Sequence, residues 1–166
     1  MSVPGHLTAE RLREVLSYNP ETGNFTWLMH RWLVGKPAGT IDGHGYLLIR
    51  VDGRLYRGCR LVWLYMTGEW PSNQMDHINM DRSDDRWSNL REATNSQNNM
   101  NRLARKDNKS GIKGVYWSNS DQRWVASITS NGHRRCLGYF KDKMNAAEAY
   151  AMAAQELHKD FARITA

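Results

Sequence analysis

The sequence predicts an α+β protein of two small, unlike modules, and three observations predict it. A strand-rich stretch over residues 46–57 is interrupted by Asp52-Gly53, a strong two-residue hairpin signal. A basic, polar stretch over 102–113, with five Lys/Arg and one Asp, breaks the apolar patterning. Beyond it come three short strand candidates and then one helical pattern. The expected division is an N-terminal module over 1–101, a basic linker over 102–113 and a C-terminal module over 114–166.

In the N-terminal module, Leu7 to Leu12 reads as a helix start. Thr8 is the candidate cap, and Leu7 and Leu12 are placed to staple the first turn. Leu12, Val15 and Leu16 form its apolar stripe, and the turn cluster Asn19-Pro20-Glu21-Thr22-Gly23 is expected to end the helix. Phe25 to Leu28 is a strand candidate. Tyr46 to Val51 and Arg54 to Arg57 flank the Asp-Gly turn. Leu61, Val62, Leu64 and Tyr65 then predict a short buried helix closed by Gly68 and Pro71.

The C-terminal module is expected to be a three-stranded antiparallel sheet with one packed helix. The strands are Gly114–Ser118, Arg123–Thr129 and Arg134–Phe140, joined by turn-like Asn119–Gln122 and Ser130–His133. On the middle strand Trp124, Ala126 and Ile128 share the core face, and Arg123, Val125, Ser127 and Thr129 the other. Asn145 is the expected cap of the final helix. Its apolar positions Ala146, Tyr150, Ala153, Ala154, Leu157 and Phe161 have helical spacing.

Charge separates the two parts. Residues 1–100 carry 11 Lys/Arg and 11 Asp/Glu, whereas residues 101–166 carry 12 Lys/Arg against 6 Asp/Glu. The entire net charge of +6 therefore falls in the last 66 residues, where clustered positive charge suits a polyanion or a plain solvated surface. Cys59 and Cys136 are far apart and in no metal-binding spacing, which argues against a disulfide framework and a structural zinc. Cys136 reads as a buried or half-buried thiol. Reduced thiols suit a cytosolic setting, and no run of about 18 apolar residues suggests a membrane span. The N-terminus lacks the charged-then-apolar layout of a signal peptide, so the expected location is cytoplasmic.

The chemistry concentrates in residues 76–99, DHINMDRSDDRWSNLREATNSQNN. Cutting a phosphodiester needs a base for water, a cation on the phosphate oxygens, and alignment of the parts. Histidine suits the base role near neutral pH, and Asp and Asn oxygens suit a hard cation such as Mg²⁺. Taken singly, His77 suits a structural hydrogen bond equally well, Asn89 and Asn98 suit turns and caps, and Asp81, Asp84 and Asp85 read as a solvated acidic loop. A calcium-binding EF-hand loop is ruled out, because its glycine and closing glutamate are missing. Adjacent strand residues point to opposite faces, so Asp76 and His77 require a strand end or an irregularity to serve one centre.

The order and spacing of this stretch resemble the HNH nucleases of phages and intron-encoded homing endonucleases. The matching features are Asp76-His77, Asn89 in Asn-Leu-Arg twelve residues after His77, and Asn98 in Gln-Asn-Asn nine residues further on. The upstream Asp52-Gly53 hairpin and RLVWLYMTGEWP at 60–71 resemble phage relatives as well, so the likeness covers most of 7–102. Many relatives have a histidine where this chain has Cys59, which leaves that position outside the expected site. The resemblance implies a β-hairpin followed by a helix around a single divalent metal, Mg²⁺ or Mn²⁺. It implies His77 as general base, Asp76 and Asn98 as metal ligands, and Asn89 as the residue that holds the loop orienting His77. By the same likeness the cut ends would carry 5′-phosphate and 3′-hydroxyl.

Residues 111–161 resemble the DNA-binding domain of plant ethylene-response factors, an AP-two-like domain also fused to phage HNH nucleases. The likeness rests on Gly114-Val115-Tyr116-Trp117, Trp124–Ile128, Leu137-Gly138-Tyr139-Phe140 and the Ala146-Ala147, Ala149-Tyr150, Ala153 helix. It implies a sheet laid in the DNA major groove, with Tyr116, Ser118, Ser127, Thr129 and Arg134 facing DNA and Arg123 nearby. Arg105, Lys106 and Lys109 of the linker are the expected phosphate contacts. The function expected is a monomeric, metal-dependent endonuclease of double-stranded DNA, homing-type in the sense of the family it resembles. The alternative is a non-catalytic, sequence-specific DNA-binding regulator on an HNH-like scaffold, which would have no need of the intact Asp-His, Asn and Asn set.

Overall fold

The computed structural model describes residues 7–104, 107–130 and 132–162. The chain divides into two compact units, Met1–Ala93 and Thr94–Ala166. Sequence patterning had put the junction over 102–113, eight residues and more further along.

The first unit opens with α1 (Ala9–Val15), and Thr8 caps it by accepting from Arg11 N at 3.2 Å. The helix is shorter than the apolar stripe suggested. Leu16 already belongs to β1 (Leu16–Asn19), which pairs antiparallel with β2 (Asn24–Trp27). The Asn19–Gly23 cluster therefore closes a hairpin instead of ending a helix. The physical reason is alternation: Leu16 and Tyr18 are buried while Asn19 faces out, a period of two that a helix does not give. A three-stranded sheet follows in the order β3 (Thr40–Ile41), β4 (Leu47–Val51), β5 (Arg54–Arg57). Asp52 and Gly53, with φ of 47° and 81°, make the tight turn between β4 and β5.

Helix α2 (Gly58–Thr67) stops at Gly68, whose φ of 86° gives the left-handed cap. Its buried Leu61, Val62 and Leu64 join Leu12, Leu16, Phe25, Ile49 and Val51 in one core. The unit ends in the antiparallel hairpin β6 (Gln74–His77) and β7 (Leu90–Ala93), with Asp76 opposite Arg91 and His77 opposite Leu90.

The second unit begins with α3 (Asn95–Asn101). Thr94 and Gln97 form a capping box at its start. At its other end Lys113 Nζ donates to the carbonyls of Asn99, Met100 and Arg102 at 3.1, 2.6 and 2.6 Å. Residues 107–113 are thus packed structure and not a bare tether. Ser110 and Ile112 are buried, and Ser110 Oγ donates to Val115 O at 2.7 Å.

The sheet β8 (Val115–Ser118), β9 (Arg123–Ser130), β10 (His133–Phe140) has β9 in the centre and both pairings antiparallel. Helix α4 (Lys143–His158) covers one face. Ala146, Tyr150 and Ala154 meet Val115, Ala126 and Ile128 there. Its cap is Asp142 and not Asn145: the Asp142 carboxylate accepts from Met144 N at 2.7 Å and Asn145 N at 3.2 Å. An acid nearer the start of the helix simply takes the N-terminal amides first. Phe161 falls in a short 3₁₀ turn after α4. A register shift between Cys136 and Gly138 sends Tyr139 to the open face beside Val125 and Phe140 to the core side opposite Trp124. Cys136 is exposed, contrary to its expected burial, because it precedes that shift on the open face. Among the described residues no helix is long and apolar enough to cross a membrane.

Candidate functional site

His77 is the last residue of β6, so the strand ends where the adjacent acid and histidine need it to. The two side chains turn to different partners. Arg91, opposite Asp76 on β7, donates through Nε to Asp76 Oδ2 at 2.9 Å. The His77 ring lies 6.1 Å from that of Tyr46, and its Nε2 is 2.9 Å from Asp85 Oδ1.

Residues 78–89 form a loop stitched by its own side chains. Asn79 Oδ1 accepts from Asp81 N at 2.8 Å, and Asp81 Oδ1 accepts from Ser83 N at 2.9 Å. Asn89 spans the loop. Its Oδ1 accepts from Asn79 N at 2.9 Å, and its Nδ2 donates to Asn79 Oδ1 at 3.0 Å and to Asp84 O at 2.8 Å. On the main chain Ile78 N donates to Asn89 O at 2.9 Å, continuing the ladder past His77. Asp84 is held by Arg86 Nε at 2.7 Å, and that contact lowers its carboxyl to a pKa of about 2.

Asp85 corrects the sequence reading. Far from a solvated loop acid, it is 2% exposed, and His77 beside it is 5% exposed. Cys59 joins them: one ligating atom from each of the three lies within 4.8 Å of the others. Burial raises the Asp85 pKa, with the hydrogen bond from His77 acting against it. Burial, reinforced by the charge of Asp85, pushes the Cys59 thiol to about 12, so it stays protonated at neutral pH. The only sequence signal for this cluster was Cys59 standing where many relatives carry histidine.

The remaining expected residues lie in the second unit or outside the described residues. Asn98 is half-buried on α3, its backbone N–H donating to Thr94 O at 2.9 Å. Arg105 and Lys106 lie outside the described residues, and Lys109 is exposed. On the open face of the second sheet, cross-strand pairing aligns Tyr116 with Val125 and Tyr139, Ser127 with Cys136, Thr129 with Arg134, and Ser118 with Arg123. Tyr116, Thr129 and Arg134 are exposed. Ser127 is buried under Arg134, whose guanidinium donates to its hydroxyl at 3.0 Å and lies 5.3 Å from the Tyr116 ring centre. Ser118 gives its hydroxyl to Asp121 at 2.6 Å.

Residues 59–100 match the sequence profile of the HNH endonuclease family. Protein 3.8 of Escherichia phage T7 is 31% identical over 103 residues, which cover 61% of this chain and 84% of that one. An uncharacterized HNH endonuclease, L560, of Acanthamoeba polyphaga mimivirus is 28% identical over 134 residues. That match covers 80% of this chain but only 65% of the viral protein's length. A solved structure of DNA binding and cleavage by the HNH homing endonuclease I-HmuI aligns over 91% of this chain and 87% of that one, at 20% identity and a TM-score of 0.42. A superposition that loose fixes neither fold nor chemistry.

Proposed function

Because the chain belongs to the HNH endonuclease family, we propose that it is a metal-dependent, homing-type endonuclease that hydrolyses phosphodiester bonds in duplex DNA. The observation that carries this reading is that His77 and Asn89, both inside the matched residues, share one hairpin and its stitched loop.

His77 is the general base. It takes a proton from water, the hydroxide forms a new bond to phosphorus, the bond from phosphorus to O3′ breaks, and O3′ takes a proton from solvent. The ends are then 5′-phosphate and 3′-hydroxyl. Asn89 fixes the loop that follows His77, and Arg91 holds the Asp76 carboxylate in place.

Asp76 and Asn98 would hold one divalent cation, Mg²⁺ or Mn²⁺. A carboxylate and an amide oxygen are the hard donors that such ions prefer, so the donor set fits. When bound, the ion supplies positive charge to phosphate oxygens as negative charge builds on them.

Duplex binding is assigned to the basic C-terminal part. Arg105, Lys106 and Lys109 contact phosphates, and the open sheet face bearing Tyr116, Ser118, Arg123, Ser127, Thr129 and Arg134 lies in the major groove as an AP-two-like module. Two unlike modules suit a monomer on one asymmetric site, working in the cytoplasm of a phage-infected host.

The test is to incubate duplex DNA with the protein and Mg²⁺ or Mn²⁺, with a chelator control, and to sequence the ends. Metal-dependent breaks with 5′-phosphates support the reading. Tight, salt-sensitive binding with no break under any divalent ion would instead identify the DNA-binding regulator.

A further inference from the structure

A buried acid normally needs several partners, because desolvating a carboxylate is costly. Asp85 makes one side-chain hydrogen bond, to His77 Nε2 at 2.9 Å, and among the described residues its Oδ2 makes none. The unit is nevertheless shaped to seat it. Tyr18 donates its hydroxyl to Asp85 O at 2.8 Å. Gly23, at φ +75°, lets its backbone approach, since a Cβ there would stand 2.7 Å from Arg86 N and from Asp85 C. Gly58, at the start of α2, leaves room for the carboxylate, which a Cβ would overlap. Three elements distant in sequence thus converge on one acid that faces one imidazole nitrogen.

We propose that Asp85 is the positioning residue of the site: its carboxylate locks the His77 ring and keeps the proton on Nε2, so that Nδ1 carries the basic lone pair. This rests on the reading of His77 as the base. A fixed acceptor at Nε2 holds that nitrogen as the donor and fixes the plane of the ring.

His77, Asp85 and Cys59 do not form a metal cage as they stand. Two ligands on one tetrahedral ion, with bonds of about 2.0–2.1 Å, sit roughly 3.3 Å apart. The 2.9 Å between His77 and Asp85 is a hydrogen-bond distance.

The experiment has two arms on the full chain. Nitrogen-15 NMR of the histidine side chains at neutral pH reads the tautomer of His77 in the wild type. A proton on Nε2 is expected, and a proton on Nδ1 would overturn the proposal. Single-turnover cleavage with Mg²⁺ then compares wild type with Asp85→Asn. The rate should fall on the order of 100-fold, with duplex affinity held within about twofold of wild type. An equal rate in a folded Asp85→Asn protein would overturn it. If the variant does not fold, the wild-type spectrum decides alone. If wild type cuts no DNA, the nuclease reading fails while the spectrum still decides the role of Asp85.

Discussion

Replacing Gly58 by alanine sets two opposing effects against each other at the start of α2. Helix propensity alone favours alanine by up to about 1 kcal/mol. The packing opposes it. The new Cβ would overlap Asp85 Oδ2 and stand 2.9 and 3.0 Å from Cδ2 and Cβ of Leu47. Restoring an ordinary carbon–oxygen contact of about 3.3 Å moves the carboxylate by roughly 1 Å. That shift stretches the 2.9 Å bond to His77 past useful length. Losing a charge-assisted hydrogen bond costs about 1.5–3 kcal/mol and overpacking adds about 1–3 kcal/mol. Net of propensity, Gly58→Ala should destabilise the protein by about 1.5–5 kcal/mol, measured as a lowered urea midpoint at unchanged slope. A variant as stable as wild type, or more stable, would refute the claim that Gly58 exists to admit Asp85.

Asn89→Ala removes three side-chain hydrogen bonds within the 79–84 loop and should cost roughly 3 kcal/mol at about 1 kcal/mol each. Hydrogen exchange at Asn79 should accelerate with it, and unchanged protection would count against the stitching role. Arg86 depresses the Asp84 carboxyl from 3.8 to about 2, so this pair contributes stability at neutral pH that is lost as pH falls through that window. Arg86→Gln should therefore flatten the acid limb of a stability–pH curve between about pH 4 and pH 2, and an unaltered limb would contradict the assignment. Neutralising Arg105, Lys106 and Lys109 together should reduce the log–log salt slope of duplex binding by up to about 3, and an unchanged slope would remove them from the interface.

Local signals located most of the fold. The Asp52-Gly53 turn, the Gly68 stop and the three C-terminal strands are each set by residues close in sequence, and they lie within a residue or two of their expected places. What escaped depended on contacts distant along the chain. The strand β1 is only four residues long and follows α1 without a break, so its apolar residues extended the helical stripe. The bulge in β10, which exchanges the faces of Tyr139 and Phe140, breaks simple alternation. At the site, Asn89 was legible from its place in Asn-Leu-Arg. Asp85 was not, because it stands in a run of acids and polar residues that reads as solvent-facing. Its burial depends on Tyr18, Gly23 and Gly58, 67, 62 and 27 residues upstream. Cys59 gains its chemical surroundings from that same convergence.

The most direct measurement is conversion of supercoiled plasmid to nicked or linear DNA in Mg²⁺ by wild type and His77→Ala, at equal concentration and with matched folding. Wild type should cut, and His77→Ala should be slower by at least about 100-fold, the range expected for loss of a general base. Equal cutting by the two proteins would contradict the assignment of His77 and with it the central account of the site.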